Sequence, residues 1–116
     1  MYKNKQDLVS RNSNKMAHKH SYAAFQRLKL VNDKNEILII DKNSFMEVLT
    51  KLNKKQCEVI VFLLKISSEQ KTISRTQKDI AESLEMPVTS INKIFQELIR
   101  LNIMEKVKNG IYALLI

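Results

Sequence analysis

Between Val88 and Leu101, side chains able to meet base edges recur at helical spacing: Thr89, Asn92, Lys93, Gln96 and Arg100. At about 100° per residue they share one arc with Glu97, while Ile91, Ile94, Phe95, Leu98, Ile99 and Leu101 fill the opposite arc. The carboxamides of Asn92 and Gln96 can each make paired hydrogen bonds to adenine. Lys93 and Arg100 can reach guanine or phosphate, and the Thr89 methyl can meet thymine. Any solvated amphipathic helix presents such an arc, so the flanking segments decide what it means.

Those flanks are specific. Thr72-Ile73 can form a short strand, and Ser74 or Thr76 can cap a helix TQKDIAESLE with Ile80, Ala81 and Leu84 inward. Ala81 is small enough to let two helices approach closely. Met86-Pro87-Val88 makes a turn in which Pro87 stops one helix and tolerates the first position of the next. Asn102 ends the second helix, and residues 103–108 return through Asn109-Gly110 to Ile111–Leu115. Asn-Gly is a strong hairpin signal because both residues accept positive φ. Strand, helix, turn, helix and hairpin in this order read as a winged helix-turn-helix, which offers a polar helix face to a DNA major groove.

Duplex DNA is therefore the leading expected partner. Arg75, Thr76, Gln77 and Lys78 begin the first of the two helices, where exposed N–H groups and these side chains suit a phosphate oxygen. Lys106 and Lys108 flank the hairpin tip and can reach backbone or minor groove, with plain solvation as the alternative.

Upstream, FQRLKLVNDKNEILIID reads as a hairpin over 25–41, with Asn32-Asp33-Lys34-Asn35 as its turn. The unbroken ILII predicts a strand buried on both faces. Ser44 can cap a helix carrying Phe45, Val48, Leu49 and Leu52 at helical spacing. A second helix, KKQCEVIVFLLKI, follows within 43–66; it is apolar almost all round and reads as central to the fold or as a subunit interface, with a strand as the competing reading. Residues 1–24 are polar and basic and read as a flexible arm. The expected fold is mostly α with small β, a winged helix-turn-helix with an N-terminal β-hairpin, in one domain over 25–116 whose last part is 72–116.

The formal net charge is +8, which attracts polyanions. It is unevenly spread. Residues 1–24 carry five basic residues and one acidic, residues 25–75 ten and six, and residues 76–116 five of each. The reading segment thus depends on arrangement rather than on bulk charge. Gly 1 and Pro 1 argue against a loop-rich or all-β fold and leave no Gly-rich phosphate loop. A lone Cys57 forms no intrachain disulfide or multi-Cys zinc site. His18-Lys19-His20 lacks a third ligand, and Tyr22 and Tyr112 read as packing residues rather than nucleophiles. No apolar run approaches the roughly 20 residues of a membrane span, and the polar N-terminus has no secretory pattern. The expectation is a cytoplasmic binding protein, not an enzyme, without cofactor or metal.

With all these segments in view, the chain resembles the RepL family of small Gram-positive plasmid replication proteins. The likeness rests on FQRLKLVNDKNEILIID, on the stretch through KKQCEVIVFLLK and on the segment from Thr72 to Ile116. The last of these would also suit winged-helix regulators of the MarR, GntR or Crp types; the order hairpin, helices, winged helix points to RepL. The chain departs from that family in ending right after the last strand and in placing Leu101-Asn102 where a glycine is usual. The resemblance implies origin binding that initiates and controls plasmid replication, with host replication proteins as further partners. Carried over by position, its reading residues fall on Thr89, Ser90, Asn92, Lys93 and Gln96. A transcriptional regulator is the alternative, with a rolling-circle nickase or a winged helix for protein contact behind it. Because one reading helix contacts few base pairs, a homodimer is expected, joined through 25–66 with Phe62 and Leu63 at its interface.

Overall fold

A computed structural model describes residues 26–116. The arm, Phe25, Tyr22 and the His18-Lys19-His20 run lie outside the described residues. The rest forms four helices and two small antiparallel sheets around one continuous apolar core.

Strands β1 (Arg27–Val31) and β2 (Ile37–Asp41) pair as a ribbon, with Val31 opposite Ile37. Leu38 and Ile40 are buried, whereas Ile37 and Ile39 face outward and are exposed. The ILII run therefore alternates and is not buried on both faces. A two-stranded ribbon has neighbours on one side only, and the strand's period of two sends every second side chain to the other side.

The turn between them is anchored over a long sequence distance. Buried Asn32 donates its amide to the Ser67 carbonyl and to Glu36 Oε1, both at 2.8 Å. Its Oδ1 accepts the backbone N–H groups of Lys34 and Glu36 at 2.9 and 2.8 Å. The Asp33 N–H donates to the Lys65 carbonyl at 2.8 Å. The hairpin tip thus satisfies carbonyls left open where the next-but-one element ends.

Helix α1 (Lys42–Lys51) starts directly from β2. Its cap is Asp41, whose carboxylate accepts the Ser44 N–H at 2.8 Å. Ser44 sits three residues inside and is not the cap; a carboxylate at the first open N–H groups is the stronger acceptor. Helix α2 (Lys54–Ile66) opens on a capping box between Asn53 and Gln56. It buries Val59, Ile60, Leu63 and Leu64, leaves Phe62 half-buried and exposes Val61. The run that reads as apolar all round therefore has a buried side and an open one.

Strand β3 (Thr72–Ile73) precedes α3 (Gln77–Leu84) and α4 (Val88–Arg100). Strands β4 (Met104–Lys108) and β5 (Ile111–Leu114) complete a three-stranded sheet in the order β3-β5-β4. Thr76 caps α3 by accepting the Asp79 N–H at 3.1 Å. Glu85, at φ 55, ends it, and Pro87 stands at the cap of α4, one residue before its first turn. Asn102 takes φ 60 after α4, and Ile103 N–H closes on the Leu98 carbonyl at 2.9 Å. Asparagine is the residue after glycine best able to hold that left-handed position.

At the β4–β5 turn only Gly110 has positive φ, at 79. Asn109 does not, so the turn is not the mirrored type that two positive φ values define. A register shift between Lys106 and Lys108 accompanies it; such a bulge adds the right-handed twist that an ordinary turn withholds from the hairpin.

Candidate nucleic-acid interface

Helix α4 divides by spacing. Ile91, Ile94, Phe95 and Leu98 are buried, and each contributes roughly 1.5–3 kcal/mol to folding by leaving water. Thr89, Asn92, Lys93, Gln96 and Arg100 are exposed together on the other side, and Ser90 is half-buried at the edge of that arc. Two residues expected inside do not stay there: Ile99 is exposed and Leu101 is only half-buried. Ile99 lies at the margin of the apolar arc, next to Asn92. Val88 is also exposed, so two apolar side chains border the polar arc on the side of Asn92.

The helix is held at this rotation by the sheet. Phe95 packs edge-to-face on Tyr112 of β5, with ring centroids 4.9 Å apart and planes at 79°. The amide of Gln77 donates to the Tyr112 hydroxyl at 3.3 Å. One aromatic residue therefore joins the start of α3, the middle strand and the inner face of α4. Tyr112 is a packing residue, and the Gln77 amide is engaged here.

Arg100 is engaged as well. Its Nε and a terminal nitrogen donate to the two Glu97 oxygens at 3.0 and 2.6 Å. The Arg100 hydrogen bond holds the Glu97 carboxyl below the usual carboxylate range, and the Glu97 hydrogen bond raises the guanidinium in turn. Both groups are exposed, so the pair is worth little to stability. It does occupy the fork that base readout by Arg100 would need.

Of the expected backbone contacts, Arg75 and Lys78 are exposed at the start of α3, and Thr76 spends its acceptor on the cap. Lys106, Val107 and Lys108 are all exposed at the tip of the edge strand β4, on either side of its register shift. Val107 was not among the expected contacts; an exposed aliphatic between two lysines at a hairpin tip is its only signal in the sequence. Among the described residues, no carboxylate lies within ion-pair distance of Arg75, Lys78, Lys93, Lys106 or Lys108.

Among the described residues no group of three or more His, Cys, Asp or Glu side chains is placed to hold a metal ion. Cys57 is half-buried, its thiol 3.9 Å from the Leu52 carbonyl. No described helix is long and apolar enough to cross a membrane. No protein family, curated protein or solved structure matches this chain.

Proposed function

We propose that the chain is a sequence-specific duplex DNA-binding protein of the winged helix-turn-helix kind. In this reading α4 enters the major groove and the β4–β5 hairpin is the wing. The observation that carries it is the division of α4, with four apolar residues buried in the core and Thr89, Asn92, Lys93 and Gln96 exposed together. Asn92 and Gln96 read adenine, Lys93 reads guanine or holds phosphate, and Thr89 meets a thymine methyl. Each good bidentate contact discriminates by about 1–3 kcal/mol. Arg75 and Lys78 hold phosphate with the first amides of α3, and Lys106 and Lys108 hold it from the wing.

The RepL-like order of hairpin, helices and winged helix extends the proposal to initiation and copy control at a plasmid origin, in the cytoplasm and without catalysis. A transcriptional regulator would use the same face. The zero net charge of residues 76–116 favours a second reading, a winged helix for protein contact.

A salt titration of a fluorescent duplex separates the two. Contacts by Arg75, Lys78, Lys93, Lys106 and Lys108 predict that log K falls against log[salt] with a slope of about −4 to −5. Lys78→Ala should flatten that slope by about 1. Duplex affinity that is absent at low salt would favour protein contact instead.

A further inference from the structure

Helix α4 exposes two aliphatic side chains beside its polar arc: Val88 is 45% exposed and Ile99 36%. At about 100° per residue, Val88, Ile99 and Asn92 fall within about 40° of one another. Val88, Asn92 and Gln96 follow one another at intervals of about 6 Å along the helix axis. Exposed aliphatic residues scattered singly need no explanation. Val88 differs by its position, because it starts the exposed row that Asn92 and Gln96 continue. It lies outside the apolar core, and Pro87 rather than Val88 stands at the cap of the helix. A β-branched residue is not favoured by helix propensity either, so neither packing nor local structure accounts for it.

The charges along the chain say which end of α4 meets DNA. From Met86 to Gln96 there is no carboxylate, and Lys93 is the only charged residue. Glu85 stands before that stretch, at the left-handed cap of α3, and Glu97 follows it, engaged by Arg100. Glu105 of β4 is exposed as well. Phosphates line a major groove on both sides, so the stretch without acid is the one that can enter deepest. Its leading helical residue is Val88.

We propose that Val88 is a further specificity-determining residue, which covers the C5-methyl group of a thymine within about two base pairs of the adenine held by Asn92. This role rests on duplex reading by α4, as proposed above. The rise of about 6 Å from Asn92 to Val88 spans just under two base-pair steps of about 3.4 Å. An isopropyl group offers no hydrogen bond, so it complements the one apolar group on a major-groove edge, which thymine alone among the four bases carries. Thr89 lies about 100° round the helix from Val88, so its methyl meets a different base. The target therefore includes a thymine whose methyl group, rather than its hydrogen-bonding atoms, is read.

The test uses the full chain and a duplex enriched from a random pool, remade with deoxyuridine in place of each thymine in turn. That change removes one methyl group and leaves every hydrogen bond of the pair. The expected result is a thymine, within about two pairs of an adenine, whose replacement weakens binding about fourfold, as the burial of one methyl group implies. At that position Val88→Ala should bind the two duplexes equally, while Val88→Ile keeps the preference for thymine. Val88 lies outside the core, so both variants fold, and circular dichroism checks this. An enriched motif without a methyl-sensitive thymine, or a sensitivity that Val88→Ala leaves in full at every position, overturns the role of Val88 and leaves reading by Asn92 and Gln96 standing. A pool without enrichment overturns that reading itself, and the role of Val88 with it.

Discussion

Phe95 and Tyr112 meet edge-to-face with ring centroids 4.9 Å apart, and this contact sets the rotation of α4 on the sheet. The Gln77 amide on the Tyr112 hydroxyl ties the start of α3 to the same point. Tyr112→Phe keeps the packing and removes the hydrogen bond, at an expected cost of about 0.5–1.5 kcal/mol. Phe95→Ala leaves a cavity under α4 and should cost about 3–5 kcal/mol. Urea unfolding followed by circular dichroism measures both. Equal midpoints for the unmodified protein and Tyr112→Phe would mean that the hydroxyl contributes nothing.

Asn32 is the corresponding joint in the other half of the molecule. It is buried and makes four hydrogen bonds, one of them to the Ser67 carbonyl. Asn32→Ala strands that carbonyl and two turn amides, and should destabilise by about 2–3 kcal/mol. Amide hydrogen exchange should then quicken at Lys34 and Glu36. Unchanged exchange there would show that the backbone bonds of the turn suffice.

These two joints differ in how far they could be read from residue order. The burial of Ile91, Ile94, Phe95 and Leu98 follows from a period of 3.6 within one helix, and Thr76 as a cap follows from its neighbours. The grip of Asn32 on Ser67 spans 35 positions, and no local pattern carries it. The two-sided burial expected for ILII failed because a run of four apolar residues hides the strand's alternation, and the number of neighbouring layers is not written in it. Asp41 displaced Ser44 as the cap because β2 runs into α1 without a loop, which spacing does not reveal. The Asn109-Gly110 turn was placed correctly, but its dihedral type depended on the register shift in β4. Within the candidate interface, the exposed arc was legible, while the engagement of Gln77 and Arg100 depended on side-chain contacts.

Acid stability should carry the mark of the Asp41 carboxylate at the start of α1. The Ser44 backbone N–H, then the Ser44 side chain and Arg27, hold Asp41 below its ordinary pKa against a small desolvation effect. The Arg100 hydrogen bond lowers Glu97 too, but that exposed pair adds little to stability. A carboxylate whose folded pKa is depressed contributes stability above its unfolded pKa and loses it as pH falls through the folded value. The thermal midpoint should therefore hold from neutral pH to about 5 and decline below about 4. Asp41→Asn keeps an acceptor without the charge, so its decline should be shallower. Parallel acid limbs for the two proteins would contradict this account of the cap.

Glu97 restrains Arg100 at the end of α4. Glu97→Gln should release the guanidinium toward phosphate, raise affinity for any duplex several-fold and steepen the salt slope by about 1. Anisotropy titrations on an arbitrary duplex measure this. A loss of affinity would mean that the Glu97 carboxylate itself accepts from a base, as glutamate can from cytosine.

Selection from a pool of random duplexes asks whether Asn92 and Gln96 read DNA sequence. The expected result is an enriched motif containing adenine. Asn92→Ala and Gln96→Ala should each lose about 1–3 kcal/mol of affinity for that motif while keeping their affinity for arbitrary duplex. A pool that shows no enrichment, or a motif bound equally well by both variants, would contradict it.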